Sequence, residues 1–228
     1  MKFMDLPISA WKTFDTLYAL ESFGDYWVEN ERLVLEAVEA AEVRHGPKWK
    51  PRTHEELGEF HMERNNARHL HDEIVLPAFR YSSLVMLFTI AERELLRLAR
   101  NLESERVTPN PKFENKRGSL LKPVENHCKI HFDLRLQDCP EYNGLCDLQK
   151  VRDCIVHCHG EVRLSRDAKY LVDMNQRRVG FSAHIGTTIE IGSDCTKQFL
   201  NEAWRFFLWV FNQRKWPVDD LWLNKKWG

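Results

Sequence analysis

The residues best equipped for chemistry in this chain lie in one stretch, LQKVRDCIVHCHGEV, residues 148–162. Arg152 offers a permanent planar cation with a fork of N–H donors, suited to anionic oxygens. Asp153 offers a carboxylate that can orient a neighbouring cation or imidazole. His157 offers an imidazole, the side chain that most often gives or takes a proton in catalysis at neutral pH. Cys154, Cys158 and His159 add a metal-like appearance. Structural zinc, however, normally takes paired ligands such as C-x2-C, and no such pair occurs among the cysteines. A thiol nucleophile at Cys154 has His157 nearby but no recognisable acyl-transfer site. The chain also lacks a GxxxxGK phosphate loop, a GxGxxG dinucleotide loop and an HExxH zinc helix. The expectation is therefore a site with no metal and no cofactor.

Placed on a helix at about 100° per residue, Leu145, Leu148, Val151, Ile155 and Cys158 gather into a core-facing stripe. Asp153 and His157, four residues apart, share roughly the opposite side, with Arg152 at the flank. A histidine satisfied in the core belongs on the stripe, and His157 does not. It either faces solvent, as most polar helix faces do, or faces a second surface such as a cleft or a partner subunit.

The elements that must position this helix read as mainly helical. Trp11, Phe14, Leu17, Tyr18 and Phe23 recur at helical spacing, Gly24 interrupts them, and Val28, Leu33, Leu35 and Val38 resume the pattern. HGPKWKP, residues 45–51, is a loop, after which Thr53 and Glu56 form a capping box for a polar helix whose histidines (54, 61, 69 and 71) belong on a solvated face. Pro77 suits the first turn of a new helix. On that helix Leu84, Leu87, Phe88, Ala91, Leu95 and Leu98 make one stripe and Glu92 sits at its margin, as a structural carboxylate or one that holds a site residue. A polar loop follows, then a helix from Ser119 to about His131, then the helix carrying Arg152 from about Asn143. After Gly160 the chain reads as irregular. Val179, Phe181, Ala183, Ile185, Ile189 and Ile191 alternate about Gly186 as a small β-hairpin. Ser193 or Asp194 then caps an aromatic helix containing Phe199, Trp204, Phe206, Phe207, Trp209 and Phe211, whose rings are expected in the core or a dimer surface. Trp216, Trp222 and Trp227 in the tail are expected to dock onto the body or a partner.

With 33 basic and 34 acidic residues the net charge is -1, so any basic surface for nucleic acid must be local. The start of the chain lacks a secretory pattern, and the longest apolar run, residues 84–91, is too short to cross a bilayer. A cytoplasmic protein with reduced thiols and no membrane association is expected.

Arg152, Asp153 and His157 as R-D-x-x-x-H resemble the signature helix of the HEPN superfamily (higher eukaryotes and prokaryotes nucleotide-binding domains). The surroundings are similar too: the upstream helix YSSLVMLFTIAERELLRLA, the loop NKRGSL, Gly160 after the motif, then a hairpin and an aromatic helix. The likeness spans residues 77–211 and is to uncharacterised prokaryotic members. It implies an all-α, up-and-down bundle of four to five helices at residues 77–212, here with a β-hairpin insert; residues 1–76 read as an N-terminal helical extension outside the likeness, and 213–228 as a Trp-rich tail. It implies a homodimer whose two Arg152–His157 helices face each other across a cleft. In catalytic members that cleft is a metal-independent endoribonuclease site. RNA carries its own 2′-OH nucleophile, so Arg152 would stabilise phosphate charge, His157 would move protons and Asp153 would orient them, leaving 2′,3′-cyclic phosphate ends. Such an enzyme would act as a toxin or antiviral effector, with an antitoxin or defence-system partner. The rivals are a non-catalytic HEPN module binding nucleotide, RNA or protein, and a helical scaffold or regulator in which the motif is accidental.

Overall fold

A computed structural model describes residues 8–104, 112–113, 120–225 and 227, with the side chains of residues 8–12, 67, 70 and 221 left aside. The side chain of Trp11, the start of the fourth helix at Ser119 and nearly all of the NKRGSL loop lie outside the described residues. The fold is mainly helical, as its sequence periodicity predicts. Its helices are α1 (Ile8–His45), α2 (His54–His69), α3 (Leu76–Ser104), α4 (Leu121–Phe132), α5 (Tyr142–Cys158), α6 (Ala168–Met174), α7 (Ser193–Gln213) and α8 (Asp220–Leu223). One antiparallel ribbon, β1 (Phe181–Ser182) and β2 (Glu190–Ile191), pairs Phe181 with Ile191 and Ser182 with Glu190.

Helix α3 is the hub. Leu84, Leu87, Phe88, Ala91, Leu95 and Leu98 are all buried, and α1, α4, α5 and α7 pack around them. Glu92 accepts the backbone N–H of Leu120 at 3.1 Å and so fixes the start of α4. By length and composition His71–Ser104 is apolar enough to cross a membrane. The run at residues 84–91 is short, but the helix extends it toward its N-terminus, where Arg80 is the one charge between residues 74 and 91. Here its apolar stripe forms the centre of the core.

Gly24 does not interrupt α1, which passes through it unbroken. The residue is small because the Trp227 ring occupies the space a Cβ would fill. Leu17, Leu20, Phe23 and Trp27 on α1 join the same core as α3 and α7. Val28, Leu33 and Leu35 are exposed, and apolar burial resumes at Val38 and Ala41. The capping box forms as predicted: Glu56 N–H donates to Thr53 Oγ1, and Thr53 N–H to Glu56 Oε2, both at 3.2 Å. No loop separates α2 from α3. A π-helical turn, Leu70–Val75, joins them, with the Leu76 N–H donating to His71 O. Pro77 explains it, since proline has no N–H to continue an α-helical ladder.

The segment after Gly160 is more ordered than its polar sequence suggests, containing a 3-10 turn (Val162–Leu164) and α6. Helix α7 starts at Ser193 with Gly192 at its N-cap and no side-chain cap, so neither Ser193 nor Asp194 plays that part. Phe199, Trp204, Phe206, Phe207 and Phe211 are core residues. The tail docks onto the body. Trp222 packs against Phe14 at 5.2 Å, and Trp227 meets Trp204 edge-on at 5.2 Å. Lys225 pairs with Glu21 at 2.7 Å.

Candidate functional site

Helix α5 packs against α3 and α7. Leu145, Leu148 and Val151 are buried as the stripe predicts, but the stripe is rotated toward Cys154. Cys154 is fully buried, whereas Ile155 and Cys158 are half-buried. Burial pushes the Cys154 thiol up to about 11, so it stays protonated at neutral pH and is a poor nucleophile. Among the described residues no group of three or more His, Cys, Asp and Glu is placed to hold a metal ion.

The helix stops abruptly just past His157. His159 and Gly160 take left-handed backbone conformations, with φ of 53° and 80°, and the Gly160 N–H returns to Cys154 O at 3.0 Å. A Cβ at Gly160 would also collide with the Tyr81 ring. The Tyr81 hydroxyl donates to Ile189 O, and Ile189 N–H to Gly160 O at 2.9 Å, so the ribbon pins the end of α5 to α3.

On the outward side of α5 the structure brings Arg152 and Asp153 together. Arg152 Nη1 donates to Asp153 Oδ1 at 2.8 Å, and its guanidinium lies over the Phe88 ring at 5.6 Å. Its side chain is 28% exposed, and its Nε is buried without a hydrogen-bond partner. His157 is exposed one turn beyond Asp153, with no hydrogen bond to it.

Two further sets of residues belong to this helix. Asp153 Oδ2 accepts Arg166 Nη2 at 3.5 Å, and Arg166 Nε lies 3.4 Å from Asp167 Oδ2. Asp167 in turn accepts Lys150 Nζ at 2.6 Å. A chain of alternating charges therefore runs along the face between α5 and α6. On the inward side Asp147, 1% exposed, accepts Tyr170 Oη at 2.5 Å and Arg177 Nη1 at 2.6 Å. It also accepts Arg178 Nη2 at 2.8 Å, and Arg178 Nη1 reaches Glu202 at 2.7 Å. Burial raises the Glu202 carboxyl above its ordinary value, against the pull of Arg178. The sequence signal for Asp147 was its place between the buried Leu145 and Leu148. Arg166 carries no comparable signal, because only the fold brings residues 153 and 166 together. Scanned against protein-family models, curated proteins and solved structures, the chain matches none.

Proposed function

We propose that this protein is a metal-independent endoribonuclease of the HEPN type, active as a homodimer across α5. The observation that carries the proposal is the outward face of that helix. Arg152 is held by Asp153 and lies over the Phe88 ring, while His157 stands exposed one turn away. Such a face binds a phosphodiester and moves protons. The RNA 2′-OH attacks the adjacent phosphorus, the P–O bond to the 5′-oxygen breaks, and His157 takes or returns the proton. Charge growing on the non-bridging oxygens falls to Arg152. Asp153 is a positioning residue that holds the guanidinium. Val156, 42% exposed beside His157, offers apolar surface to a second copy.

The test is incubation with labelled single-stranded RNA in EDTA. Wild type is expected to leave 2′,3′-cyclic phosphate and 5′-OH ends, and His157→Ala to leave the RNA intact. Loss of cleavage on chelation, or full activity in His157→Ala, overturns the mechanism. One observation favours a second reading, a module that holds RNA without cutting it: among the described residues nothing hydrogen-bonds the His157 imidazole to fix its tautomer. That reading gives retention of RNA with no cut ends.

A further inference from the structure

We propose that Arg166 is a second phosphate-binding group of this site, taking the backbone phosphate next to the one at Arg152. The inference rests on the ribonuclease reading and supplies its substrate-binding half. Asp153 is gripped from both sides, Oδ1 by Arg152 at 2.8 Å and Oδ2 by Arg166 at 3.5 Å. Arg152 leans toward α3, where it covers Phe88. Lys150, on the other flank of α5, leans toward Asp167 and the Tyr170 ring, 4.1 Å away. Arg166 reaches Asp153 from that second flank. The two guanidiniums thus flank Asp153, one helical turn before His157, with that carboxylate shared between them.

Charge and exposure favour an anion there. Among the described residues the ion pairs of Arg152, Arg166 and Lys150 are with Asp153 and Asp167, three cations to two carboxylates, which leaves an excess positive charge beside the His157 imidazole. The Arg166 side chain is 81% exposed, so its long ion pair contributes little to folding. It can exchange the carboxylate for a phosphate oxygen at small cost, and its fork matches that geometry. Arg163, in the same segment, pairs with Glu161 and stands outside this chain of charges. An RNA strand crossing α5 from the α3 flank to the α6 flank would meet Arg152, then Arg166, on successive phosphates.

The experiment measures binding of a labelled 2′-O-methyl RNA, which has no free 2′-OH and is not cut, from about 50 to 200 mM salt. It is done on wild type, Arg166→Ala, Arg166→Lys and Arg163→Ala, alongside cleavage kinetics on unmodified RNA. Arg166→Ala is expected to weaken binding and to lower the slope of log affinity against log salt by about 0.7, the loss of one single-strand phosphate contact. Its KM rises more than its kcat falls. Arg166→Lys, keeping the charge, retains the slope, and Arg163→Ala retains both slope and affinity. Wild-type affinity and slope in Arg166→Ala, with cleavage still abolished by His157→Ala, sinks the Arg166 proposal alone. No binding or cleavage by wild type sinks the ribonuclease reading with it.

Discussion

Two carboxylates six residues apart on α5, Asp147 and Asp153, have opposite fates. Asp147 is buried and every contact it makes is a close one, from Tyr170, Arg177 and Arg178. Asp153 is 18% exposed and shared between one firm partner and one loose one. Burial raises the cost of leaving a charge unpaired, so the inner network must be complete. The outer set need not be, and the partnerless Nε of Arg152 and the exposed His157 show that it is not. On the proposed reading, one helix carries structural and functional charges of the same type. Their difference lies in whether the surrounding donors are fully used.

The hardest test of that contrast is Asp147→Ala. It leaves Arg178 buried without its main counter-charge, and a loss of about 3–5 kcal/mol is expected in urea unfolding. Gly144→Ala sharpens the inner side, because a Cβ there would collide with Glu202. Forcing that carboxylate away from Arg178 should cost about 1–3 kcal/mol. Asp153→Ala is the outer counterpart. It should cost no more than about 1 kcal/mol of stability yet reduce RNA cleavage, because Arg152 loses its positioning partner. A stability loss equal to that of Asp147→Ala would erase the distinction.

The inward thiols are silent at neutral pH, where they stay protonated, and their effect is confined to alkaline solution. Burial pushes Cys128, Cys139 and Cys195 up to about 12 and Cys154 up to about 11, from an ordinary 9.0. Because the folded values are raised, the stabilisation is complete below about pH 9 and is lost as pH rises toward 12. Thermal melts should fall over that alkaline window, and Cys154→Ser should still cut RNA at neutral pH.

Much of the framework was legible from pattern. The apolar stripe of α3, the capping box at Thr53 and Glu56, the hairpin around Gly186 and the outward side of Asp153 and His157 all follow from short-range periodicity. What escaped depends on contacts distant in sequence. Gly24 read as a helix break because the tail ring that needs its space lies about two hundred residues on. Pro77 falls in the first turn of α3 as its place in the sequence predicts, but the π turn joining α2 to α3 leaves no composition signal. Asp147 and Arg166 acquire meaning only when residues 166–178 fold back along α5.

The central claim is that the outward face of α5 does chemistry. The most direct measurement compares cleavage of single-stranded RNA in EDTA by wild type and by His157→Ala, with matched melting curves. The account expects 2′,3′-cyclic phosphate ends from wild type and intact RNA from an equally stable His157→Ala. Equal cleavage by the two proteins, or none by either, contradicts it.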